Sequence, residues 1–250
     1  MFISNIITVG VMDKVNIEDY CDVKRAWPHM KMKPMYIHLD LSLTGDKSGI
    51  GAVWVSGRKD VEDKDGNIVS TIRFTQAFSV SIKAPRGDQI PFNKIVKFIK
   101  WLRKSGFNIA GVSRDSYQSE YVGQQLIEAG FNDKKLSLDR TPDGYVALRS
   151  VFMEQRIDLF ENELMEEEII HLQRDSFSGA VDHPIGGSKD SADGLAGSVW
   201  NAILNNQSVL VEPKKVASAI KAVNGPRPNV NKKPGATLPA MGLNVKKLRR

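Results

Sequence analysis

One cysteine, Cys21, is all that the 250 residues contain. No disulfide can form within the chain, and no zinc site can be built on several thiolates. That scarcity fits a reducing, intracellular setting. Long apolar runs are also missing: none approaches the ~20 residues that a membrane helix needs. The first residues have neither the basic n-region nor the long apolar stretch of a secretory leader. No membrane partner is expected. Nothing matches the Gly-x-x-x-x-Gly-Lys-Ser/Thr phosphate loop either. Residues 186–189, Gly-Gly-Ser-Lys, have the residue types without the order or a preceding strand.

What remains is an ordinary globular composition, 41% hydrophobic and 26% charged, with ample length for one good core. The net charge of +6 is unevenly spread. Residues 206–250 hold ten Lys/Arg against one acid, Glu212, and the rest of the chain has a slight acidic excess. This tail is read as mobile, apart from a short helix at 216–223. Its charge points to a polyanion such as nucleic acid, with a solubilising end as the plainer reading. Lys214, Lys215, Lys246, Lys247, Arg249 and Arg250 are the candidate DNA contacts. The expected organisation is a connecting segment at 1–34, with a strand at 6–15, then a domain at 35–205 and the basic tail at 206–250.

Within the domain, alternation at 36–43 predicts a strand with Asp40 in its middle. A turn at 44–49 returns the chain along 51–56. A charged link at 57–67, with the hairpin signal Asp65-Gly66-Asn67, leads to a long β-branched strand at 68–82. A helix opens at Pro91 and stops at Gly106. Its basic side, Lys94 to Lys104, reads as solvated surface. A short apolar strand at 107–113 follows, then a helix at 120–129, a strand at 135–139 and helices at 144–156 and 161–172. The run Glu166-Glu167-Glu168 reads as a solvated face. Residues 178–188 read as a loop, and 189–204 as a helix rich in small residues. The order β-β-β-α-β-α-β implies an α/β fold: a mixed sheet, three antiparallel strands first, with helices on both faces.

Four acids stand out by position. Asp40 lies on the first strand and Asp115 just after the fourth. Asp190 and Asp193, three apart, share a face of the last helix. If the fourth strand lies beside the first, all four can meet. Clustered carboxylates stay ionised together only with cations present. An all-oxygen ligand set suits Mg²⁺ or Mn²⁺, and two such ions serve phosphodiester hydrolysis. Four unrelated surface acids is the alternative.

The segments 37–49 (Ile-His-Leu-Asp-Leu-Ser-Leu-Thr-Gly-Asp-Lys-Ser-Gly), 112–116 (Val-Ser-Arg-Asp-Ser), 181–184 (Val-Asp-His-Pro) and 187–197 (Gly-Ser-Lys-Asp-Ser-Ala-Asp-Gly-Leu-Ala-Gly) resemble the nuclease domain of phage and prophage terminase large subunits. That domain is a branch of the RNase H-like nucleases. The Asp-x-x-Asp-small-Leu-Ala form also resembles the end of RuvC-type resolvases. The resemblance covers residues 35–204. It implies a metal-dependent endonuclease that cuts double-stranded DNA during viral genome packaging, with Asp40 and Asp115 as metal ligands and either Asp190 or Asp193 as the late acid. Asp46 and His183, in motif loops, are second-tier residues that are structural or position substrate. Mg²⁺ or Mn²⁺ would be the cofactor, two ions being expected. Partners would be duplex DNA, a terminase ATPase domain or subunit, the portal and the small terminase subunit, in the cytoplasm of an infected bacterium. A terminase large subunit places an ATPase motor before its nuclease. Without a phosphate loop, this chain reads as an excised nuclease domain or a separately encoded subunit. Other readings are a different RNase H-like nuclease, such as a Holliday-junction resolvase, or a non-catalytic scaffold that binds DNA or the motor.

Overall fold

The structure is a computed structural model that describes residues 17, 28–42, 47–84, 88–115, 119–176 and 179–206. The expected strand at 6–15 and helix at 216–223 lie outside the described residues.

After a four-residue helix α1 (Pro28–Lys31), β1 (Met35–Asp40) pairs antiparallel with β2 (Lys47–Glu62), and β2 with β3 (Ile68–Lys83). β4 (Ile109–Arg114) returns parallel to β1 on its other side, β5 (Asp133–Lys135) lies parallel to β4, and β6 (Ile157–Asp158) pairs parallel with β3. The order β5-β4-β1-β2-β3-β6, with β2 alone running against the others, is the mixed sheet that the element order implied and the RNase H-like arrangement that the resemblance implied. A small hairpin, β7 (Gln173–Arg174) with β8 (Val181–Asp182), stands apart.

Both faces of the sheet are covered, which explains why β1 is apolar at consecutive positions. Ile37 and Leu39 face one way, onto α2 (Phe92–Lys104) and α3 (Glu120–Glu128), packing with Ile95, Phe98, Val122 and Leu126. Tyr36 faces the other way, into a second core with Tyr145 and Leu148 of α4 (Asp143–Met153), Met165 and Ile169 of α5 (Glu163–His171), and Leu195 and Val199 of α6 (Asp190–Asn206). By alternation, His38 and Asp40 share the α6 side with Tyr36.

Four expectations change. Asp40 is the last paired residue of β1, not its midpoint, because the Ser48 hydroxyl bonds both the N–H and the carbonyl of Ser42 and closes the loop early. Residues 57–62 continue β2, their polarity reflecting an exposed hairpin arm whose turn is confined to 63–67. The fifth strand is 133–135 rather than 135–139. Within the Glu run, Glu166 and Glu168 are buried, so that face is not solvated.

Candidate active site

Asp115, Asp190 and Asp193 all lie near enough to Asp40, at the carboxyl end of β1, for their charges to act on it. Asp40 pairs with Gly49 on one side. On the other, the backbone N–H of Asp115 donates to the Leu39 carbonyl at 3.1 Å, which carries the β1–β4 ladder one residue beyond β4 and sets Asp115 beside Asp40. The preceding Arg114 fastens this turn: its buried guanidinium bonds the Asp133 carboxylate at 2.9 Å and the Ser119 hydroxyl at 2.8 Å.

α6 brings the other two acids, and its small residues explain how. A Cβ on Gly51 would collide with the backbone of Gly194, and one on Gly49 with the carbonyl of Asp190. The helix therefore lies directly on the β2 backbone. Asp190 and Asp193 are both buried. Asp190 accepts from the Ser188 hydroxyl at 2.5 Å. Asp193 accepts from the Tyr145 hydroxyl and forms an ion pair with Lys189 at 3.3 Å. Lys189 also reaches Asp139 at 2.5 Å. Asp115 accepts from the Ser137 hydroxyl at 3.3 Å.

Asp40 differs from its neighbours. The residue as a whole is only partly buried, and no side-chain hydrogen bond reaches its carboxylate among the described residues. Burial raises its pKa well above the usual carboxylate range, and the charges of Asp193, Asp190 and Asp115 add to that against Lys189. Burial also lifts Asp193 to about 7, with Lys189 and the Tyr145 hydrogen bond opposing. His38, beneath the site, has its Nδ1 2.9 Å from the Ser113 hydroxyl, and burial lowers its pKa to about 4 although the Asp115 charge pulls upward.

The donor set is all oxygen and rich in negative charge, which fits a hard divalent cation. The ligand shell is not ready-made. Among the described residues no three acidic, His or Cys side chains converge closely enough to hold a metal. The α6 acids are turned onto Ser188, Tyr145 and Lys189, and the electrostatic penalty falls on both Asp40 and Asp193.

His183 is not brought to this cluster; its ring bonds the Pro184 carbonyl and lies near Asp182 in its own loop. Asp46 and the six tail residues Lys214, Lys215, Lys246, Lys247, Arg249 and Arg250 lie outside the described residues. Sequence reasoning missed Tyr145, Lys189 and Glu168. Tyr145 shares its helix face with Leu148, Val151 and Phe152, so by pattern it is one more apolar position. Glu168 is three residues after Met165 and one before Ile169, a spacing that puts it on the buried side of α5.

Fold and site together define an RNase H-like α/β domain with a carboxylate cluster at the end of its first strand. No protein-family model and no curated protein matches the sequence. Among solved structures, the chain is similar to the large terminase nuclease from thermophilic phage G20c, with 14% identity over 67% of this chain and 81% of that one and a TM-score of 0.49. For the same nuclease with bound magnesium the values are 15%, 68%, 82% and 0.49. For the HK97 bacteriophage large terminase they are 12%, 68%, 40% and 0.45, so the chain spans about two fifths of that chain. Likeness at this level assigns no residue a role. Among the described residues no helix is long and apolar enough to cross a membrane.

Proposed function

We propose that this chain is a divalent-metal-dependent endonuclease of the terminase large-subunit type, cutting double-stranded DNA during genome packaging in the bacterial cytoplasm. The carrying observation is Asp40: a carboxylate without a side-chain hydrogen bond among the described residues, beside Asp115 and facing two more acids, its charge disfavoured by all three. Such a group is stabilised by a cation. Asp40 and Asp115 would hold Mg²⁺ or Mn²⁺, with one acid of α6 completing the set. Asp190 and Asp193 both act on the Asp40 charge, and either could complete the set. Two ions bound there would activate water and stabilise the leaving oxygen of a phosphodiester.

The protein's own contribution is placement. β1 and β4 hold two acids at adjacent strand ends, and α6 is fixed against β2 by glycine contacts. Lys189 and Tyr145 keep Asp193 compensated until the site is loaded. The partners of this reading are duplex DNA, through the basic residues after 206, and a packaging ATPase domain or subunit with the portal and small terminase subunit.

The test is cleavage of plasmid and linear duplex with Mg²⁺ or Mn²⁺, for the native chain and for Asp40→Asn and Asp115→Asn. Loss of metal-assisted charge stabilisation, several kcal/mol, lowers the rate on the order of 10³-fold. Either variant cutting at the native rate removes that residue from the site. Preferential cutting of four-way junctions would make the chain a resolvase, and DNA binding without cutting by the native chain would make it a scaffold.

A further inference from the structure

Glu168 is a buried acid to which the proposed reaction gives no role. It belongs to α5, yet its carboxylate leaves its own helix for the start of α6. Oε2 accepts the backbone N–H groups of Ser191 at 2.8 Å and Ala192 at 3.0 Å. These are N–H groups of a first helical turn, which no carbonyl within the helix can satisfy. A carboxylate there also meets the positive end of the helix dipole. Oε1 lies 3.0 Å from the Ser188 hydroxyl oxygen, which is also 2.5 Å from Asp190 Oδ2, so one hydroxyl hydrogen is shared between the two carboxylates. The run is continuous: Glu168, Ser188, Asp190, with two more bonds to the backbone between Asp190 and Asp193.

We propose that Glu168 is the positioning residue of the acid cluster: from α5 it fastens the first turn of α6 and, through Ser188, the Asp190 carboxylate, so that α6 holds its acids toward Asp40 before any cation arrives. What those acids bind rests on the metal-dependent reading above; what Glu168 touches does not. The rival role is that Glu168 is itself a cation ligand. The geometry disfavours it, since both oxygens already accept hydrogen bonds and one accepts two.

Glutamine separates the roles. Its carbonyl oxygen replaces Oε2 toward Ser191 and Ala192. Its amide donates to the Ser188 oxygen, which frees the Ser188 hydrogen for Asp190. A cap survives this change and a metal ligand does not. The experiment uses the full chain, stripped with chelator, as native, Glu168→Gln and Glu168→Ala. Two quantities are read: amide hydrogen exchange over residues 188–196, and Mn²⁺ affinity by calorimetry. E168A should lose protection in the first turn of α6 and weaken Mn²⁺ binding by about 10–100-fold, the usual effect of removing a group that orients ligands. E168Q should restore both. Loss of Mn²⁺ binding in E168Q with native exchange would make Glu168 a ligand and overturn the proposal. Native protection in E168A would overturn it as well. Should E168A not fold, E168Q alone still decides between cap and ligand. If the native chain binds no Mn²⁺, the metal reading fails, and the exchange data alone judge the cap.

Discussion

Gly197 of α6 lies against the imidazole of His38, and any Cβ at that position would occupy the ring. The ring cannot retreat, because it is buried and bonded to Ser113. Gly197→Ala should therefore destabilise the domain by about 1–3 kcal/mol, as overpacking does. Thermal unfolding would register it. Gly57→Ala, where a Cβ meets nothing within 4 Å, is the matched control and should stay near native.

His38 also sets a pH dependence. Folding lowers its pKa to about 4 from an ordinary 6.5, burial being the cause. Between these values the unfolded chain binds the extra proton, so stability rises with pH across that window and falls as pH drops from 6.5 toward 4. The full difference is about 3 kcal/mol. Denaturant titrations from pH 4 to 7 in chelator should show this loss, and His38→Gln should remove it. A native slope that persists in the variant would clear His38 of the effect.

Asp40 acts with the opposite sign. Its pKa is raised in the folded, metal-free state, so the folded protein favours a protonated Asp40 and loses stability as pH rises above the ordinary carboxylate range. Asp40→Asn should raise the melting temperature at pH 8 in chelator, by about 2–4 °C per kcal/mol recovered. The gain should vanish near pH 4. With Mg²⁺ present the native chain should narrow the gap, since it alone gains a bound ion.

Tyr145 holds Asp193 by its hydroxyl. If Asp193 is the α6 ligand, it must leave that bond to take a cation. Tyr145→Phe should then tighten Mn²⁺ binding by about fivefold, the worth of one hydrogen bond of ~1 kcal/mol. Calorimetry would measure it. Unchanged affinity would pass the role to Asp190.

The basic tail should account for much of the nonspecific DNA affinity. A truncation belongs after Asn206, not before it, because the Asn206 amide donates to the Tyr36 hydroxyl at 3.1 Å. Deleting 207–250 removes ten cations. At a slope of about −0.9 per phosphate contact, the salt dependence of duplex binding should flatten by several units, with cleavage at saturating DNA retained. An unchanged salt slope together with a lowered melting temperature would show that the tail belongs to the core instead.

Much of the fold was legible because β1 and α6 carry strong local patterns. Ile37 and Leu39 set the strand, and the Asp-Ser-Ala-Asp-Gly-Leu-Ala-Gly run sets a helix that packs closely. The meeting of Asp40 with Asp115 followed from topology alone. Glu168 was illegible for a physical reason: a glutamate in a run of three looks solvated unless its acceptors are known, and those are backbone N–H groups some 23 positions away. The hairpin arm at 57–62 misled for the converse reason, since exposed strand residues have the composition of a loop. Asp190 and Asp193 are buried, as a packed helix start requires, but their engagement with Tyr145 and Lys189 depends on rotamers that no spacing encodes.

The dependence of the site on α6 bears on when the protein becomes active. The 17 residues of this helix close one face of the sheet and supply half of the clustered acids, and they come last in the described order. Their partners on β1 and β2 lie about 140 to 170 positions earlier, so the contacts that complete the site are long-range and form slowly. Until they form, the emerging chain exposes an apolar sheet face and holds Asp40 and Asp115 without the α6 acids. On the proposed nuclease reading, the acid cluster is complete only once α6 docks, and a chain stalled in synthesis before residue 190 would lack two of its four acids.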